Sequence, residues 1–233
     1  NPSSEMTYVD LPINYYFSTD MKFFPIAVLY FGLVVAFSTS AAAPKTEADP
    51  LLAQAQLMEV ASNMITALQD PAVRQNVDQI EQLVRRVLVP HIDFRASSNL
   101  VLGPHWKAAS EAQRAAFMNE FQAFLVRFYT GALASYVDSD GIPMDLMAFR
   151  DEPRSKGPRQ VFVRSHVGQS DGDKVAVEYR MLWRGMWKVI DVSVDGISMV
   201  QSYRSNFSTT VKRQGLDALI AQLQERNQSF ATN

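Results

Sequence analysis

Three histidines, His91, His105 and His166, are the residues of this 233-residue chain best suited to hold a metal or move a proton near neutral pH. They stand 14 and 61 residues apart, so no pair has the i, i+4 spacing of a helical zinc site. The chain has no cysteine, which excludes disulfides and thiolate metal sites. It has no G-x-S-x-G nucleophile elbow, and its ten glycines are too scattered for a phosphate-cradling loop. A Ser-His-Asp site converges only in space, so spacing does not exclude one, but nothing favours it. Asp191 stands among Val189, Ile190 and Val192, where a half-buried carboxylate with a raised pKa is suited to be a general base, with Tyr179 as donor. Pairing with an arginine, or a place on a wet strand face, explains Asp191 equally and is preferred, because no partner acid or base is visible. The expectation is no catalytic residue, no metal ligand and no cofactor.

The elements that position these residues are read from periodicity. Leu51, Ala55, Met58, Ile65 and Leu68 mark one helix face, ended by Asp70-Pro71. Val77, Ile80, Leu83, Val84, Val87 and Leu88 mark a second, stopped by Pro90. Ser110 with Gln113 has the pattern of a capping box. It opens a third helix carrying Phe117, Phe121, Phe124, Leu125, Phe128, Tyr129 and Leu133 on one face. Tyr203, Phe207 and Val211 suggest a fourth helix, and Leu216, Leu219, Ile220 and Leu223 a fifth, opened by Gly215-Leu216-Asp217.

Between them four strands are expected, over residues 144–149, 161–167, 175–183 and 186–194. The third alternates, with Val175, Val177, Tyr179, Met181 and Trp183 on one side and Ala176, Glu178, Arg180 and Leu182 on the other. Arg184-Gly185 and Gly172-Asp173 read as hairpin turns, and residues 150–158 as a surface loop. Helices, then strands, then helices imply an α+β domain, a curved antiparallel sheet packed against helices. Its surplus is apolar and aromatic surface on facing elements: Phe117 to Leu133 as one wall, and Val161, Val163, Val177, Tyr179 and Met181 as the other. Periodicity does not distinguish a filled core from a hollow one, and full density is the default.

Residues 21–42 read as a secretory signal peptide: Met21-Lys22, an uncharged apolar run over residues 23–37, and small residues at 38–43. Residues 1–20 are then an upstream extension outside the native protein, and 43–233 a single domain. Removing residues 1–42 takes away Glu5, Asp10, Asp20 and Lys22 and leaves equal numbers of acidic and basic residues. That balance gives no basic surface for nucleic acid. An export signal implies a periplasmic protein.

Several pieces recur in a recognisable order. Residues 90–94 (PHIDF) precede 102–106 (LGPHW) and 110–114 (SEAQR) with Phe117, Phe121, Leu125 and Tyr129. Residues 187–191 (WKVID), 195–199 (DGISM), 204–207 (RSNF) and 215–219 (GLDAL) follow. The series, over roughly residues 50–225, resembles the MlaC family of periplasmic phospholipid-binding, or toluene-tolerance, proteins. The resemblance implies an NTF2-like sheet curved against helices, with a deep pocket for the acyl chains of a glycerophospholipid. It implies a monomeric shuttle between an outer-membrane MlaA-type lipoprotein with a porin and an inner-membrane MlaFEDB-type ABC transporter complex. The apolar faces of the matching elements then supply a lipid-binding lining: Phe94, Leu125, Phe128, Tyr129, Leu133, Met147, Phe149, Val161, Val163, Val177, Tyr179, Met181 and Val189. Flexible methionines such as Met144, Met147 and Met181 suit chains of mixed length. Another apolar cargo, a quinone or hopanoid, and an NTF2-like enzyme using Asp191 are the alternatives.

Overall fold

The computed structural model describes residues 48–137, 147–168 and 174–229. The expected signal peptide, Met144 and the Gly172-Asp173 turn lie outside the described residues. Eight α-helices occur among the described residues, against five read from the sequence. Helix α1 spans Pro50–Leu68, with the Asp49 carboxylate accepting from the Leu51 amide and proline at its first position. Its buried face carries Ala53, Leu57, Val60, Ala61, Met64, Ile65 and Leu68. The stripe expected through Leu51, Ala55 and Met58 is a correction: Leu51 is 53% exposed and Ala55 lies open. Two overlapping 3.6-residue stripes exist in this alanine- and methionine-rich helix, and tertiary packing selects between them.

A single turn, α2 (Pro71–Arg74), leads to α3 (Val77–Val87), capped by Asn76. A 3-10 turn at Val89–His91 follows. Two helices absent from the sequence reading come next, α4 (Phe94–Leu102) and α5 (Pro104–Ala108). Gly103 joins them at φ 54°, ψ −122°, and any Cβ there would meet the Arg204 guanidinium at 2.7 Å. Helix α6 (Glu111–Tyr136) begins with the expected capping box, Ser110 and Gln113 each bonding the other's backbone amide. Its 26 residues run roughly 39 Å at about 1.5 Å each, long enough to serve two separate cores. Helices α7 (Met199–Gln214) and α8 (Leu216–Ser229) close the described chain.

The antiparallel sheet has six strands: β1 (Met147–Ala148), β2 (Arg154–Ser155), β3 (Gln160–Gly168), β4 (Lys174–Trp183), β5 (Trp187–Val194) and β6 (Ile197–Ser198). Its order is β1-β3-β4-β5-β6, and β2 pairs with β3 beside β1. The short β2 falls inside the stretch expected to be only loop, and β6 was not anticipated. Two-residue strands carry no periodicity to read. On β4 the expected alternation holds, with Val175, Val177, Tyr179 and Met181 buried and their neighbours partly exposed. Register shifts where β4 meets β5: Arg180 faces Asp191, whereas Met181 faces Val189. Ile190 is the extra residue of that bulge.

Two separate cores result. One lies between the sheet and α1, α3 and the C-terminal half of α6. The other is built by α4, α5, the N-terminal half of α6, α7 and α8.

An apolar cavity as the candidate functional site

The cavity opens within the first core. Its walls are Leu57, Val60 and Ala61 from α1, Val84 and Leu88 from α3 and its end, and Val89, His91, Ile92 and Phe94 leading into α4. Leu125, Val126 and Tyr129 of α6, Met147, Phe149, Tyr179 of β4, and Val189 and Val192 of β5 complete it. The space free of atoms is about 710 Å³, part of it open to solvent, and about 90 Å³ admits the centre of a water molecule. None of these residues is an aspartate, glutamate, lysine or arginine. An apolar cavity of this kind gains by taking up apolar matter.

Local sequence explains the walls. In α1 the small Ala61 stands between Val60 and the bulkier Met64 and leaves a hollow. On β5, Val189 and Val192 both line the cavity although they are three apart, because the bulge at Ile190 takes up one residue between them. Asp93 holds the 3-10 turn and α4 against the sheet edge. Its amide donates to the Val189 carbonyl at 3.0 Å, one Asp93 carboxylate oxygen accepts from the Ala96 amide, and the other accepts from Arg184 at 3.0 Å. Phe94 is thereby fixed at the cavity wall.

Polar groups at the wall are few and neutral. Burial pushes the Tyr129 phenol up to about 12, with the nearby Asp191 charge acting in the same direction. Burial raises the Tyr179 phenol further, against the Ser165 hydroxyl beside it. Both phenols are uncharged donors at physiological pH. The Gln56 amide donates to His91 Nδ1 at 3.0 Å and to the Trp187 carbonyl at 2.6 Å, so the neutral ring carries its proton on Nε2. Burial, then the Lys188 charge, holds His91 below its ordinary value, with Glu59 opposing.

Of the thirteen residues expected from the resemblance, Phe94, Leu125, Tyr129, Met147, Phe149, Tyr179 and Val189 meet around this cavity. Leu133, Val161, Val163, Val177 and Met181 are fully buried in the packed layer of the same core and do not line it. Phe128 is half-buried against Phe124 and Tyr129, with ring centroids 6.4 and 5.6 Å away. The long aromatic wall from Phe117 is likewise divided: Phe117, Phe121 and Phe124 belong to the second core. The sequence reading missed all of α1 and α3, the turn residues Val89, His91 and Ile92, and Val126 and Val192. For α1 the alanine within the Leu57–Met64 stripe was the available signal. For Val192, strict alternation concealed it.

Asp191 does not line the cavity. Its carboxylate accepts from the Ser198 hydroxyl at 2.7 Å and from the Val200 amide at 3.1 Å, and so holds the first turn of α7. Burial raises its pKa, opposed by those hydrogen bonds, the Val192 amide and Arg180. A carboxylate with both oxygens so occupied is a cap, and Tyr179, its supposed partner, lies in the cavity wall. Of the other histidines, His105 sits on α5 with Nε2 3.3 Å from the Ser208 hydroxyl, and His166 lies on β3. Among the described residues no three His, Asp or Glu side chains form a metal-sized group. Among the same residues no helix is long and apolar enough to cross a membrane.

The family model described as MlaC protein matches residues 58–225. The chain is 25% identical over 206 residues to the intermembrane phospholipid transport system binding protein MlaC of Haemophilus influenzae, covering 85% of this chain and 90% of that one. It is 27% identical over 146 residues to the toluene tolerance protein ttg2D of Pseudomonas putida, covering 62% and 65%. A solved structure, the phospholipid-binding protein of Ralstonia solanacearum in complex with a phospholipid, superposes with a TM-score of 0.66 at 30% identity. That match covers 77% of this chain and 98% of the other.

Proposed function

This chain belongs to the MlaC family, and from that membership we propose that it is a periplasmic carrier that shuttles glycerophospholipid between the outer and inner membranes. The observation that carries this reading is the cavity, walled by aliphatic and aromatic side chains with only two phenols and a neutral imidazole for polarity. The two named phospholipid-binding relatives, one of them solved with its lipid, support the choice of cargo. Acyl chains lie between α1, α6 and β5, and the head group stays near solvent.

The energetics make such a cavity necessary. Each methylene kept from water is worth about 0.8 kcal/mol, so a sixteen-carbon chain resists entry into water by roughly 12 kcal/mol. A carrier that left one chain wet would lose to a bilayer. Charged groups at the wall would add desolvation cost without a partner, and the lining has none. Two full chains need more room than the roughly 710 Å³ of this partly open cavity offers, so the walls move apart on loading. The side chains of Leu57, Leu88 and Leu125 suit that, since sliding aliphatic contacts breaks no hydrogen bond. The proposed partners are an outer-membrane MlaA-type lipoprotein with a porin and an MlaFEDB-type inner-membrane transporter.

The test is organic extraction of the purified protein followed by lipid mass spectrometry, with uptake from labelled phospholipid vesicles in parallel. About one phospholipid per chain, and saturable uptake, are expected. A quinone or hopanoid in place of phospholipid would change the cargo. No extractable lipid together with no uptake would overturn the reading.

A further inference from the structure

On the other side of the β5 bulge, Ile190 faces a second hollow of opposite chemistry. It lies between α4 and the β4–β5 strands, and about 290 Å³ of it admits the centre of a water molecule. Three guanidiniums border it, from Arg95, Arg180 and Arg184, and no carboxylate is among its lining residues. Leu182 and the buried Ile190 contribute apolar floor. The Trp106 indole forms one flank, with the Arg95 guanidinium 5.9 Å from its ring centroid and Arg114 at 5.5 Å.

The neighbouring acids are already committed. Asp93 accepts from Arg184 and from the start of α4, and Asp191, across the strand from Arg180, holds the start of α7. Arg180 has the Gln160 amide oxygen, once that amide is turned toward it, as a neutral acceptor. Acidic and basic residues are nearly balanced over the whole chain, yet the lining of this concavity carries three cations and no acid, and of the three Arg184 is ion-paired with Asp93 beyond the lining. Arginine is among the residue types enriched where protein interfaces concentrate their binding energy.

We propose that this cleft docks an acidic segment of a partner protein. A carboxylate of that segment sits between Arg95 and Arg180, and an adjacent apolar side chain rests on Leu182 and Ile190. The concave shape favours a polypeptide over a bilayer. A flat anionic membrane meets protruding cations, whereas Arg180 is half-buried at the wall of a hollow that a side chain enters. The site is separate from the cargo cavity and does not depend on which apolar molecule fills it.

The test measures fluorescence anisotropy of a labelled peptide of alternating glutamate and leucine, titrated with the whole protein at low salt. Saturable binding that weakens as salt is added is expected. Arg95→Glu should weaken it at least tenfold and leave phospholipid loading unchanged, because Arg95 does not touch the cavity. Arg86→Glu, an exposed reversal on α3, should leave peptide binding intact. Absence of saturable binding overturns the proposal, as do equal losses in the two variants. So does binding of phosphatidylglycerol vesicles that is stronger than peptide binding and equally lost in Arg95→Glu, which assigns the cleft to a membrane surface.

Discussion

Helix α6 runs through two interiors that are built on opposite plans. Its N-terminal half enters an interior filled by rings. Phe117 stacks on Phe121 at 5.5 Å, Tyr203 meets Phe121 and Phe124 edge-on at 5.7 and 5.8 Å, and Phe207 closes on Phe117 at 5.9 Å. Its C-terminal half, through Leu125, Val126 and Tyr129, borders the cavity, where valine, leucine and alanine leave space unfilled. Both halves turn apolar side chains inward, phenylalanines in the first and leucine, valine and tyrosine in the second, and their partners differ as well. Aromatic partners from α7 interlock with the first half, whereas a bulged strand and an alanine-bearing helix stand off from the second.

The contrast is sharpest where a large side chain is removed from the filled half. Phe207→Ala should cost about 3–5 kcal/mol in denaturant unfolding, the usual penalty for emptying an aromatic site in a close-packed core. Phospholipid loading per folded molecule should stay unchanged. Filling the hollow half should do the reverse: Ala61→Phe is expected to reduce loading at least about tenfold, roughly 1.4 kcal/mol. Its stability should move by less than about 1 kcal/mol, because the new ring enters space that is already empty. A large stability loss in Ala61→Phe would mean that the cavity is closed in solution and would erase the distinction.

How far this division was legible follows from what periodicity encodes. The capping box at Ser110, the α6 stripe and the β4 alternation are local patterns, and the fold class followed from their order. The split of the aromatic stripe is not local. Phe121 and Leu125 are one turn apart, and only the position of Tyr203 on a helix about eighty residues later separates a packed ring from a cavity wall. Val192 was hidden because the bulge at Ile190 breaks alternation, and bulges carry no fixed residue signature. Phe94, Phe149 and Val189 were assigned through family resemblance, and periodicity alone did not select them.

Asp191 sits where the two regions meet, so its removal tests their independence. Asp191→Ala should cost about 1 kcal/mol, the value of a lost helix cap, through α7. Loading should be unaffected, and a loss of loading without destabilisation would assign the carboxylate to the cargo. The smallest effect concerns His91. Its folded pKa lies below the ordinary 6.5, so the unfolded chain binds more protons in the window just under that value. Stability conferred by the neutral ring is therefore full above about pH 6.5 and is lost as pH falls through the depressed value. Urea midpoints at about pH 7.5 and pH 5.5 should show this decline in the native protein and a shallower one in His91→Gln.

The most direct measurement is a crystal structure of the protein loaded with a phospholipid brominated on its acyl chains. Anomalous peaks in contact with Leu125, Tyr129, Val189 and Val192, and none among Phe117, Phe121 and Tyr203, are the predicted result. Bromine found only on the outer surface, or threaded between the rings of the filled half, would contradict the account.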